Sequence, residues 1–143
     1  MASYKLVTYA GADGPRAGLA IGDEVFDAAK LTGHAGDRSL LGILQDWTAA
    51  RERLGHAAAS PVAGQPLATT KLLAPILWPS AIYCAGANYA DHAAEMARAS
   101  GRPPEPDPHT LGLKPWHFLK AGRSTLAAPG DTVLITGVSK TMD

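Results

Sequence analysis

Strand-forming residues cluster in Tyr4–Tyr9 (YKLVTY), and a turn signal follows from Gly11 to Pro15. Ala17–Ile21 and Glu24–Ala28 then flank Gly22-Asp23, a two-residue hairpin signature. These segments predict three short strands. From Ser39 the period changes. Leu40, Leu44, Trp47 and Leu54 recur at helical spacing with Ile43 and Ala50 alongside, while Arg51, Glu52 and Arg53 fall largely off that stripe. The pattern predicts one amphipathic helix capped by Ser39 and packed on the small sheet. Ala57–Ala68 is small-residue, Pro- and Gly-containing and weakly periodic, which predicts a linker.

Beyond Lys71-Leu72-Leu73 and the prolines Pro75 and Pro79, Ala81–Ala85 (AIYCA) predicts a buried strand running into Gly86. Asn88 is placed to cap a helix over Tyr89–Ser100, with Asp91 near the positive end of its dipole, and Gly101 stops it. Arg102–Pro108 is a proline-dense loop. Trp116–Lys120 and Thr132–Thr136 are strand candidates separated by the turn Pro129-Gly130-Asp131. No repeat or heptad is present. The expected class is α+β: a small N-terminal α+β domain over 1–65, then the opening of a second, β-rich unit over 66–143. Leu72–Ala90 is uncharged for long enough to span a bilayer. Its prolines and its polar Ser80, Tyr83, Asn88 and Tyr89 instead predict a strand with an approach loop, so no membrane partner is expected.

Composition narrows the classes. The 143 residues suit one domain or two very small ones, and 46% hydrophobic with 18% charged residues excludes wholesale disorder. Thirteen basic and thirteen acidic residues cancel, leaving no positive field for nucleic acid. The one cysteine, Cys84, cannot form an internal disulfide, and the N-terminus lacks a secretory layout. A reducing, cytoplasmic setting is expected.

Chemistry concentrates in Gly86–Met96. At about 100° per residue, Tyr89, Ala93 and Met96 share a face, His92 borders it, and Glu95 sits about 60° further round. An imidazole and a carboxylate at i, i+3 can hydrogen-bond, which fixes the ring's tautomer and makes it a better general base. A half-exposed surface pair has the same spacing. Lys120 closes an aromatic-rich strand and suits either a carboxylate anchor or a lysine blunting a sheet edge. Cys84 lies in an apolar run and reads as a structural thiol. His34, His56 and His109 lie among Gly, Ala and Pro residues and read as solvent-facing. His117 reads as structural, with a cleft-facing alternative. Phosphate-loop glycine patterns are absent.

The order KLVTY, RAGLAIGDEVFDAA, an amphipathic helix, KLLAPI, Pro79-x-x-Ile82-x-Cys84-x-Gly86-x-Asn88-Tyr89-x-x-His92-x-x-Glu95, Phe118-Leu119-Lys120 and Pro129-Gly130-Asp131 resembles the fumarylacetoacetate hydrolase family along nearly the whole chain. The resemblance implies that the second unit opens a mixed β-roll catalytic domain. It also implies a Mg²⁺ or Mn²⁺ cofactor held by three carboxylates, the first two in a Glu-x-Glu motif. The implied substrates are 2-oxo or 2,4-dioxo acids, processed in catabolism, including that of aromatic compounds, by carbon–carbon hydrolysis, decarboxylation or isomerisation. By the same resemblance His92 and Glu95 move a proton or activate water, on a helix that acts as a lid. Lys120 holds the substrate's negative end, and Asn88 and Tyr89 contact substrate. The complete enzyme is expected to be a homodimer.

The chain departs from that pattern at its end. The family's Glu-x-Glu strand follows a segment like Thr141-Met142-Asp143, where this sequence stops. The expectation is therefore the N-terminal half of an enzyme, holding the dyad without metal ligands and inactive alone. A non-catalytic fragment or interaction module is the competing expectation, and an intact Glu-x-Glu beyond Asp143 or on a partner chain separates the two.

Overall fold

The computed structural model describes residues 3–103, 106–134 and 137. Its elements make an α+β chain. Contacts divide it into two compact units, Met1–Leu77 with Leu126–Asp143, and Trp78–Thr125.

In the first unit β1 (Lys5–Gly11), β2 (Gly14–Ile21) and β3 (Glu24–Asp27) form the expected antiparallel meander. Leu6 pairs with Leu19 and Val7 with Gly18, so alternate positions serve opposite faces. Both faces are covered. Ala17 and Leu19 cluster with helical Leu40, Ile43, Ala50 and Leu54, while Tyr9, Ala20 and Val25 cluster on the other side with Leu67 and Leu72 against them. That double cover explains why Ala17–Ala20 of the central strand is buried without a break.

The segment expected as a linker is part of this unit. Ala57 and Ala58 finish a helix, and β4 (Gln65–Pro66) pairs with Glu24 and Val25. Gly64 lies so close to the Phe26 ring that a Cβ would stand 2.6 Å from its Cε1. The small side chains that erase periodicity here are what allow that approach. β5 (Leu72–Leu73) pairs with β1, giving the order β4-β3-β2-β1-β5. Residues 66–77, grouped with the second domain on sequence grounds, thus lie in the first unit.

The single helix expected over Leu40–Leu54 is two, α2 (Leu40–Gln45) and α3 (Trp47–Ala58), preceded by an unforeseen α1 (Ala28–Thr32). Ser39 caps α2 as expected, accepting from the Gly42 N–H at 3.1 Å. The break falls at Asp46 (φ −116°, ψ 36°) and resets the helical phase. Ala50, Leu54 and Ala58 turn inward on α3, leaving Leu44 and Trp47 exposed. Arg53 holds the break, donating to Asp46 at 3.0 Å and, through two nitrogens, to the buried Asp37 at 2.7 and 2.8 Å. Burial pushes the Asp37 carboxyl up, but hydrogen bonds from Arg53 and Thr32 outweigh it and hold its pKa below the ordinary carboxylate value.

A second polar network joins the sheet to α1. Asp27 caps that helix, accepting from the Lys30 N–H at 2.9 Å, and also accepts from the Tyr9 hydroxyl at 2.9 Å and from Arg16 at 2.8 and 3.0 Å. Burial, then the bond to Asp27, raises the Tyr9 pKa from 10.0 to about 12.

The second unit holds β6 (Ile82–Ala85) and β7 (His117–Lys120), an antiparallel pair, with α4 (Ala90–Ala99) between them in sequence. The strand expected to be buried is not: Ile82 and Cys84 are half-buried, and Tyr83 is 76% exposed. Two strands alone cannot cover both their faces. In the first unit, Thr132–Leu134 runs as exposed irregular chain instead of the expected strand, without a neighbouring strand among the described residues to pair its backbone. Ile135 and Thr136 lie outside the described residues, as do Thr141, Met142 and Asp143. No helix among the described residues is long and apolar enough to cross a membrane.

Candidate functional site

All five residues singled out for catalysis or substrate contact lie in the Trp78–Thr125 unit. β6 delivers the chain through Gly86 and Ala87 to α4. Asn88 does not cap that helix. Tyr89 occupies the cap position without a side-chain cap bond, and both Asn88 and Tyr89 are exposed. Asp91 in the first turn takes over part of the role, its Oδ1 accepting from the His92 N–H at 2.9 Å near the positive end of the helix dipole. The far end is closed by a Schellman pair, Arg102 N–H to Ala97 at 2.9 Å and Gly101 N–H to Arg98 at 3.1 Å.

The inward stripe of α4 is Ala93, Ala94 and Ala97, and of the three residues that share a face by spacing, Tyr89, Ala93 and Met96, only Ala93 belongs to it. Met96 is 41% exposed and Tyr89 is 68% exposed. The larger residues thus turn to solvent. This rotation leaves His92 and Glu95 exposed together. His92 Nδ1 stands 3.5 Å from Glu95 Oε2, with the side chains 54% and 70% exposed. The opposite nitrogen, Nε2, has no partner among the described residues. With its proton on Nδ1 toward Glu95, the imidazole presents a free basic nitrogen to solvent.

Lys120 ends β7 opposite Ile82, with its Nζ 6.0 Å from the centre of the Phe118 ring. The Phe118 ring in turn packs on Trp116, with centroids 5.9 Å apart at 37°. Trp116 reaches across to β6, where its carbonyl accepts from the Gly86 N–H at 3.1 Å and its ring lies over the glycine. A Cβ on Gly86 would stand 2.2 Å from that ring. The sequence reading missed this Gly86–Trp116 contact. Its signal was present in the form of a glycine ending one strand and a tryptophan opening another. His117, on the face opposite Phe118, is exposed. At the base of the unit the Arg123 guanidinium stacks 3.5 Å from the centre of the Trp78 ring.

Among the described residues no three of His, Cys, Asp and Glu converge as a metal cage. The dyad offers one imidazole and one carboxylate, a poor match for a hard cation that favours several oxygens. The described residues therefore do not fit a Mg²⁺ or Mn²⁺ site. A separate groove of about 430 Å³ runs in the first unit along β1, β5 and Ala127–Pro129. It has no titratable side chain in its lining and offers no groups for acid–base work.

No family model matches the chain, and no solved structure matches it. Protein Rv2993c of Mycobacterium tuberculosis is 42% identical over 79 residues, a stretch covering 50% of this chain and 28% of that protein.

Proposed function

We propose that this chain carries the proton-transfer and anion-binding parts of a fumarylacetoacetate hydrolase-like, metal-dependent enzyme acting on 2-oxo or 2,4-dioxo acids in the cytoplasm. The observation that carries the reading is the imidazole of His92 held 3.5 Å from Glu95 with its other face open. In this reading Glu95 fixes the ring, His92 Nε2 takes a proton from water or from the carbon next to the oxo group, and Lys120 neutralises the substrate carboxylate. Asn88 and Tyr89, exposed just before α4, contact the substrate. By the resemblance, the carboxylates that would hold a divalent cation belong to a Glu-x-Glu strand.

The test uses the enzyme in which these residues stand beside that strand. His92→Ala and Glu95→Gln should each lower kcat by about 10²–10⁴-fold, with smaller changes in KM. Near-normal turnover of an oxo acid by either variant would remove the dyad from the mechanism.

A second reading, an interaction module without catalysis, is favoured by one observation. The Trp78–Thr125 unit leaves Trp78, Tyr83, Trp116 and Leu119 more than half exposed. The catalytic reading places that surface against the rest of a β-roll in a homodimer.

A further inference from the structure

We propose that Asp91 is a positioning residue for the His92–Glu95 dyad, holding the first turn of α4 in the phase that brings the two side chains together. The inference deepens the catalytic reading above and rests on it for the effect on turnover. Its effect on the helix stands without that reading.

The two ends of α4 are held unequally. At the C-terminal end the Schellman pair is joined by Ser100, whose N–H and hydroxyl both donate to the Met96 carbonyl, at 3.1 and 2.8 Å. At the other end the backbone ladder starts with the Ala93 N–H donating to the Tyr89 carbonyl at 3.0 Å. The N–H groups of Ala90, Asp91 and His92 precede that bond and have no carbonyl within the helix to meet. Among the described residues one side chain serves any of the three: Asp91 Oδ1, which accepts from the His92 N–H at 2.9 Å. The bond therefore ends on the backbone of the residue proposed as the base, and it leaves the imidazole to Glu95.

The approach to α4 makes that bond matter. Ala87 has φ +44°, in the left-handed region where the Cβ crowds the following carbonyl. Its neighbour Gly86 is fixed to the strand pair by its N–H on the Trp116 carbonyl at 3.1 Å. Relaxation of Ala87 toward an ordinary φ consequently moves the chain after it, not the strand before it. With the far end of α4 tied, the movement is taken up by unwinding the residues between Ala87 and His92. Tyr89 offers no side-chain cap bond against this. Asp91 does resist it, by keeping the third helical residue in helical geometry.

The dyad depends on that residue. His92 and Glu95 face each other at 3.5 Å because both lie on one helical turn. Unwinding to His92 carries the imidazole away and leaves Glu95 on the intact part of the helix. Asp91 is exposed, so replacing it opens no cavity.

The test reads the helix and the reaction separately. In the 143-residue chain, amide hydrogen exchange followed by NMR should be about fivefold faster at His92 and Ala93 in Asp91→Ala, the size of a lost cap, and unchanged at Arg102. Asp91→Asn keeps an accepting oxygen and should exchange as slowly as the parent chain. Ala87→Gly removes the left-handed penalty, so combining it with Asp91→Ala should recover most of the protection. In the complete enzyme Asp91→Ala should lower kcat about fivefold with KM unchanged, and either Asp91→Asn or the added Ala87→Gly should restore it. Unchanged exchange at His92 in Asp91→Ala, or a double variant no better than the single one, overturns the proposal. So does a kcat unmoved by Asp91→Ala in an enzyme that His92→Ala inactivates. Turnover surviving His92→Ala overturns the catalytic reading and the dyad with it, whatever the exchange results show.

Discussion

Asp27→Ala removes the side chain on which three parts of the first unit converge, and its cost can be built from the contacts. The α1 cap is lost, at about 1 kcal/mol. The Tyr9 hydroxyl, on a residue only 7% exposed, loses its acceptor, which costs roughly another 1–2 kcal/mol. Arg16 loses two charge-assisted bonds. Because its side chain is 17% exposed, water replaces part of that loss, leaving about 0.5–1 kcal/mol. The sum is about 3 kcal/mol, or a fall in Tm of about 12–24 °C for a domain of this size. Asp27→Asn keeps a capping oxygen and should lose about half as much. Thermal unfolding followed by circular dichroism measures both.

The pH dependence gives this prediction a second arm. Burial raises the Asp27 carboxyl pKa, but hydrogen bonds from Arg16, the Lys30 N–H and Tyr9 outweigh it and set the pKa below the ordinary Asp value. A depressed carboxyl stabilises the fold above about pH 4, and that contribution fades as pH falls through the folded-state pKa. Tyr9 works in the opposite sense. Its pKa, raised to about 12, contributes stability that is complete below pH 10 and lost as pH climbs from there to 12. Asp27→Asn should therefore flatten the acid limb of stability, and tyrosinate absorbance should show Tyr9 titrating below 12. A Tm change under 3 °C for Asp27→Ala, or a Tyr9 titration unmoved in Asp27→Asn, would refute the network as argued.

Calorimetry of the 143-residue chain with Mn²⁺ or Mg²⁺ should show no binding at micromolar concentration and no oxo-acid turnover, since the described residues gather no cage. A tight single site would contradict this. Light scattering should find self-association driven by Tyr83, Trp116 and Leu119, whose exposures are 76%, 58% and 61%. A monodisperse monomer would show that these side chains are tolerated in water.

The local rules were readable along the chain wherever one element's own pattern decided the outcome. The strand formers in Tyr4–Tyr9, the hairpin signature at Gly22-Asp23, the cap at Ser39 and the i, i+3 spacing of His92 and Glu95 all depend on neighbours a few residues away, so the sequence alone predicts them. Tertiary contact decided the rest. Asp46 breaks a helix that the hydrophobic spacing runs through, because Arg53 binds Asp46 and the buried Asp37 at once. Gln65-Pro66 becomes an edge strand because Glu24 and Val25 offer it partners 42 and 40 residues away in sequence. α4 turns its alanines inward and its Met96 outward, a choice its own helical spacing does not make. Gly86 and Trp116 meet only once β6 and β7 are paired. Spacing along a chain encodes which face a residue takes, but what lies opposite that face is a property of the folded whole.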